Sequence, residues 1–178
     1  MSTATIMKCT AYISIGSNLG DRAENIRKAV AILKEHPRIE VTKESPLYET
    51  KAIAWEDKTA QPDFLNGVLE IETTLKPEAL LKNLIETEGM LGRPHPRPKG
   101  EPRTLDLDIL LYNNSVLNLG NLNIPHPELE KRMFVLAPLC DIAPGARHPV
   151  LGWTVEELLT TCMEENGIEA KSQITSTK

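Results

Sequence analysis

Aromatic residues are scarce in this 178-residue chain: two Phe, two Trp and three Tyr make up 4% of it. RNA-binding sheet modules stack bases on aromatic side chains of their central strands. The candidate central strands here offer only Tyr12, Phe64 and Tyr112. A basic excess is missing too. The formal charge is −5, the opposite of the positive field that a general nucleic-acid binder spreads over one face. There is no run of 18 apolar residues to propose as a membrane-spanning helix. Met1 to Thr10 lacks the apolar core that a secretion signal needs. Cysteine is confined to Cys9, Cys140 and Cys162, odd in number and without a Cys-x-x-Cys pair, so reduced thiols are expected. No Gly-x-x-x-x-Gly-Lys-Ser/Thr loop occurs, which excludes a P-loop. The expectation is a cytoplasmic monomer with no nucleic-acid and no membrane partner.

What is present is ordinary globular composition, 40% hydrophobic and 25% charged, at a length that suits one well-buried core. Thr10–Ile15 reads as a strand ended by Gly16-Ser17-Asn18-Leu19-Gly20. Asp21 is a suitable N-cap for a helix whose Ile26, Ala29, Val30 and Leu33 share one face. Ile39–Tyr48 reads as a second strand, interrupted by Pro46, and residues 49–62 as a long loop. In a third strand, 64–73, Leu65, Leu69 and Ile71 face one way and Phe64, Asn66, Val68 and Glu70 the other. Pro77 opens a second helix with Leu80, Leu81, Leu84 and Ile85 inward, stopped at Gly92. The fourth strand is 104–112. This order, strand-helix-strand-strand-helix-strand, is the split βαβ arrangement: an α+β fold with a mainly antiparallel sheet and both helices on one face. A short helix near 128–132, an apolar stretch 134–139 and a helix capped by Thr154 and Glu157 form a C-terminal helical extension. Residues 1–9 are expected as an N-terminal tail, 10–164 as one domain and 165–178 as a polar tail. His36 and His148 read as surface or capping residues.

The chemistry concentrates in Arg103-Thr-Leu-Asp106-Leu-Asp108-Ile-Leu-Leu-Tyr112. Leu105, Leu107, Ile109 and Leu111 alternate toward the core, so Asp106 and Asp108 project together from the other face, Cα atoms about 6.6 Å apart. Like charges so placed call for a cation between them. An all-oxygen pair favours Mg²⁺ or Mn²⁺ over zinc, whereas an isolated Asp-x-Asp is more often a solvated face neutralised by Arg103 or a lysine. The preceding loop shifts the balance. Residues 93–103 carry Arg93, Arg97, Lys99 and Arg103 against Glu101, with four prolines and Gly100 to forbid regular structure. Guanidinium groups donate paired hydrogen bonds to phosphate oxygens. Carboxylates for a metal and arginines for a polyphosphate together suit phosphoryl transfer.

The set Ile-Gly16-Ser17-Asn18-Leu, Gln61-Pro62-Asp63-Phe64-Leu65-Asn66, Gly92-Arg93, Pro102-Arg103-Thr-Leu-Asp106-Leu-Asp108-Ile-Leu and Pro125-His126-Pro127 resembles the 6-hydroxymethyl-7,8-dihydropterin pyrophosphokinases of folate biosynthesis, over about residues 10–160. The resemblance implies a ferredoxin-like βαββαβ core, in agreement with the element order. It implies transfer of the pyrophosphoryl group of ATP to the hydroxymethyl oxygen of 6-hydroxymethyl-7,8-dihydropterin, with AMP released. Asp106 and Asp108 would hold two Mg²⁺ ions, Asp108 would also take the hydroxymethyl proton, and Arg93 and Arg103 would steady the transferred group. Glu88, His126 and Arg132 would serve the ATP site. Phe64 and Phe134, the only phenylalanines, would sandwich the pterin, and Asn18, Asn66 and the backbone near Thr50 would read its polar edge. Taken alone, both phenylalanines could equally be core, and Asn66 a satisfied buried amide. Two departures stand out: Gly100 replaces a tryptophan common in the family, and His95 replaces a second loop arginine. Rival readings are another Asp-x-Asp metal-dependent transferase and an RNA-binding ferredoxin-like module.

Overall fold

Period-two alternation builds the sheet. β1 (Cys9–Ser17) buries Ala11, Ile13 and Ile15 on one face, which leaves Tyr12, Ser14 and Gly16 for the other. It pairs antiparallel with β4 (Phe64–Thr73) on one side and β5 (Asp106–Tyr112) on the other. β2 (Ile39–Glu44) and β3 (Leu47–Thr50) both pair with the far side of β4. The computed structural model describes residues 7–52, 61–93, 96, 101–166 and 175–177. The main sheet runs β5-β1-β4-β3, the ferredoxin-like order expected from the sequence. The single strand expected over 39–48 is two. Pro46 has no N–H to give the ladder, and at the break Ser45 donates its amide to Val68 O while its hydroxyl accepts from Val68 N.

Two helices close the apolar face. α1 (Arg22–Glu35) starts where Asp21 accepts from the Glu24 amide at 3.0 Å, and it buries Ile26, Ala29, Val30 and Leu33. α2 (Pro77–Met90) has Pro77 in its first turn, where the missing N–H costs nothing, and buries Leu80 and Leu84. Gly92 follows with φ of +84°, a conformation that favours glycine. Leu81 and Ile85 are only half-buried, and the inward stripe ends instead on Thr87 and Glu88.

The C-terminal extension covers the opposite face, making three layers. α3 (Met133–Ile142) and α4 (Val155–Glu165) pack Val135, Leu136, Leu139 and Leu158 against Val68, Leu110 and Leu111 of the sheet. The apolar stretch 134–139 is thus the body of α3, and the short helix expected near 128–132 is one 3₁₀ turn, Leu129–Lys131. Thr154 and Glu157 form the capping box of α4. His148 is buried in the turn before it and accepts from the amides of Val150 and Leu151.

Leu111 departs from expectation. The β1–β5 register shifts between Tyr12 and Ile13, so that Ile13 faces Ile109 while Tyr12 faces Leu111. This bulge inserts Leu110 and turns Leu111 onto the α3–α4 side, away from Leu105, Leu107 and Ile109. A hairpin, β6 (Leu117–Leu119) and β7 (Leu122–Ile124), follows β5. β8 (Thr175–Thr177), within the stretch expected as a polar tail, pairs with β3. Among the described residues no helix is long and apolar enough to cross a membrane. The three cysteines form no disulfide.

Candidate active site

Strand register places the site. On the face that carries α3, Asp106 pairs with Gly16, Gly16 with Asn66, and Asn66 with Tyr48; one step along, Asp108 pairs with Ser14 and Ser14 with Val68. At about 4.8 Å between strands, Asp106 and Asn66 stand about 10 Å apart across a single glycine. A Cβ on Gly16 would lie 2.6 Å from Asn66 Oδ1 and 3.7 Å from Phe64 Cδ1, so glycine there keeps a hollow in the sheet surface.

That hollow belongs to a cavity of about 450 Å³ lined by Thr50, Phe64, Asn66, Arg93, Arg103, Asp106, Asp108, His126, Arg132 and Phe134. Residues from β3, β4, β5 and α3 and from two loops thus converge. Lys51, Arg93, Arg103 and Arg132 surround two carboxylates there, a site that favours an anion. Asn18 and Glu88, also expected in the site, do not line the cavity.

Asp106 sits between two arginines. Arg93 Nη1 donates to its Oδ1, and Arg103 Nη2 lies 3.1 Å from its Oδ2. Arg93 is itself almost enclosed, its side chain 5% exposed, and Nη1 also reaches Glu88 Oε1 at 2.8 Å and Leu105 O at 2.9 Å. Asp106 and Asp108 are both half-buried. No group of three or more His, Cys, Asp or Glu side chains among the described residues could hold a metal. Two cavity-facing carboxylates nonetheless fit Mg²⁺, which commonly takes one or two carboxylates and completes its octahedron with substrate phosphates and water.

Each phenylalanine carries a guanidinium. Arg103 lies 5.1 Å from the Phe64 ring centroid and Arg132 5.8 Å from that of Phe134. Both rings are half-buried at the cavity wall rather than in the core. Asn66 Nδ2 donates to Thr50 Oγ1 at 2.7 Å, which fixes its carboxamide.

Asn18 is 1% exposed, and its side chain is already engaged. Its Oδ1 accepts from Arg103 N at 2.7 Å, while Nδ2 donates to Gln61 Oε1 at 3.1 Å and Pro62 O at 3.2 Å. It ties the end of β1 to the entries of β4 and β5. His126 Nδ1 accepts from Glu128 N at 3.1 Å, so the neutral ring carries its proton on Nε2. Burial pushes this imidazole below its ordinary pKa; Asp108 opposes that shift and Arg132 reinforces it.

Ser14, Gly16 and Lys51 also line the cavity, although the sequence expectations assign them no site role. In the linear chain Gly16 opens the turn that ends the strand at Ile15. Continuing the alternation one step past Ile15 would have placed Ser14 and Gly16 together on the polar face. His95 and Gly100 lie outside the described residues.

An α+β sheet bearing a basic cavity with paired carboxylates defines the class; comparison with known proteins defines the family. The sequence profile of the 7,8-dihydro-6-hydroxymethylpterin-pyrophosphokinases matches residues 12–144, and the chain belongs to this family. It is therefore an enzyme, a pyrophosphokinase. It is 46% identical to the Bacillus subtilis (strain 168) 2-amino-4-hydroxy-6-hydroxymethyldihydropteridine pyrophosphokinase, over 76% of this chain and 79% of that one. It is 43% identical to the folic acid synthesis protein fol1 of Schizosaccharomyces pombe over 84% of this chain, which spans 20% of that longer protein. The fold matches that of Plasmodium falciparum HPPK-DHPS crystallised with pteroate, at a TM-score of 0.73 and 16% identity, over 96% of this chain and 48% of that one.

Proposed function

We propose that this enzyme transfers the β,γ-pyrophosphoryl group of ATP to the hydroxymethyl oxygen of 6-hydroxymethyl-7,8-dihydropterin in folate biosynthesis. A bond forms between that oxygen and the β-phosphorus, the bond from the β-phosphorus to the bridging α,β-oxygen breaks, and AMP departs with that oxygen. One observation carries this reading: the carboxylate pair, the arginines and both phenylalanines line a single cavity.

Asp106 and Asp108 would hold Mg²⁺, two ions in the full complex, which when bound offset triphosphate charge and orient the β-phosphorus. Arg103 and Arg132 supply guanidinium donors to phosphate oxygens, and the Nε2–H of His126 adds a neutral one. Phe64 and Phe134 offer flat apolar faces for the pterin ring. Asn66, braced by Thr50, presents its carboxamide oxygen to the ring's polar edge. Asp108, beside Ser14 in the register, accepts the hydroxymethyl proton as the new O–P bond forms. Alignment of nucleophile and phosphorus, rather than covalent catalysis, supplies the rate.

The test is incubation with ATP, Mg²⁺ and the hydroxymethylpterin, with nucleotide products resolved by chromatography. AMP is expected, formed only with both substrates and suppressed by a chelator. Release of inorganic pyrophosphate or a nucleoside diphosphate instead would overturn the assignment.

A further inference from the structure

Glu88 is fully buried, outside the cavity, and bonded to two groups that matter to Asp106. β5 is the outer strand of the main sheet, so half of its backbone polar groups face away from β1. Side chains and a loop amide take up some of these groups in the strand, and the carbonyl of Leu105 just before it. Leu105 O accepts from Arg93 Nη1 at 2.9 Å, Leu107 N donates to Glu88 Oε1 at 2.7 Å, and Leu110 O accepts from His126 N at 2.9 Å. Leu105 and Leu107 flank Asp106 in the chain. The Glu88–Arg93 ion pair, 2.8 Å long with side chains 0% and 5% exposed, therefore grips the strand on both sides of Asp106, and its guanidinium reaches the Asp106 carboxylate as well.

Resting on the proposed pyrophosphoryl transfer, we infer that Glu88 is a positioning residue: through Arg93 it fixes the β5 edge and the orientation of the Asp106 carboxylate, without touching substrate. Glutamate suits this place for two reasons. Its carboxylate takes the amide that a missing neighbouring strand would otherwise accept, and its charge holds a guanidinium in an interior where a neutral partner holds it weakly. α2 delivers it there one helical turn beyond Leu84, on the same inward face.

Glu88→Gln separates the two functions, since the amide oxygen still accepts from Leu107 N but no longer neutralises Arg93. The expected result is a 10- to 100-fold fall in kcat for AMP formation, the size typical of lost outer-shell support. Pterin affinity measured by calorimetry without nucleotide should stay within about twofold, because the pterin wall is untouched. In the ligand-free protein the carboxyl ¹³C resonance of Asp106 should move while that of Asp108 does not. Placed on Arg93→Gln, the Glu88→Gln change should cost no more than about a further twofold, because its path is already cut. A full, additive loss in that background would mean Glu88 acts directly on substrate and would overturn the inference, as would wild-type kcat in Glu88→Gln. Should Glu88→Gln fail to fold, Arg93→Lys decides: it keeps the charge but loses the fork, and must show the same fall in kcat at unchanged pterin affinity, wild-type kcat overturning the idea. If pyrophosphoryl transfer itself were wrong, the wild type would yield no AMP, while the Asp106 resonance would still report on Glu88.

Discussion

The two faces of one sheet do opposite work with alternate residues of the same strands. Under α1 and α2, Ala11, Ile13, Ile15, Leu65, Leu69, Ile71, Leu105, Leu107 and Ile109 form a continuous apolar layer, none more than 7% exposed. On the α3 side the face is divided. Val68, Leu110 and Leu111 meet α3 and α4, while Gly16, Asn66, Asp106 and Asp108 are left around the cavity. The apolar face holds the strands rigid, and that rigidity lets the polar face keep charges at set distances. A site on strands is more exactly placed than one on loops because each side chain inherits the register.

Neighbouring residues of β5 offer the sharpest contrast. Asp108→Ala should lower AMP formation by about a thousandfold, the scale of losing a principal charge stabiliser. Its melting temperature should stay within a few degrees of wild type; near-normal turnover would dissolve the division between the faces. Leu107→Ala, one residue away but inward, should behave oppositely. Urea unfolding should register a loss of about 2–5 kcal/mol, while the protein that remains folded turns over within a fewfold of normal. Were Leu107→Ala inactive at unchanged stability, the apolar face would have to be credited with a direct part in the chemistry.

Gly16→Ala probes the hollow between Asp106 and Asn66. The added methyl would crowd Asn66 Oδ1, so pterin affinity by calorimetry should weaken about tenfold, the worth of one displaced hydrogen bond. ATP affinity should hold; equal weakening of both would show that the glycine shapes the whole cavity.

The smallest effect concerns a polar group away from the cavity. Burial would raise the Glu70 carboxyl, but bonds from Lys43, Thr42 and Tyr12 outweigh it and hold the pKa below the ordinary value. Because the folded-state value is depressed, its contribution to stability is present above the unfolded pKa of about 4.3 and is lost as pH falls through the lower folded value. Thermal melts should therefore separate wild type from Glu70→Gln at pH 7 and bring them together in strong acid. A gap that persists there would trace to packing instead of charge.

Much of this was legible in the linear chain. The Asp21 and Thr154 caps, the Pro77 start, the Gly92 stop and the Asp106/Asp108 pair sit where local pattern put them, because capping and alternation involve residues a few positions apart. Where expectation and structure part, a distant partner is responsible. Leu111 changes face because β1 imposes a bulge on β5, and Ser45 and Pro46 divide a strand because β4 offers partners to one and not the other. The hydrogen bonds of Asn18 run to segments more than 40 residues away, which no local pattern could have named.

Short-range pattern by itself determined the α+β class and the order of the core elements and singled out Asp106, Asp108 and the loop arginines as candidates, while a set of short motifs carried the resemblance to the family. Tertiary structure alone decided that a glycine separates Asp106 from Asn66, that α3 walls the cavity with Phe134, and that Glu88 turns inward to hold Arg93. Those outcomes depend on strand register and on helix packing across the sheet, where a hydrogen bond finds its partner through space and not along the chain.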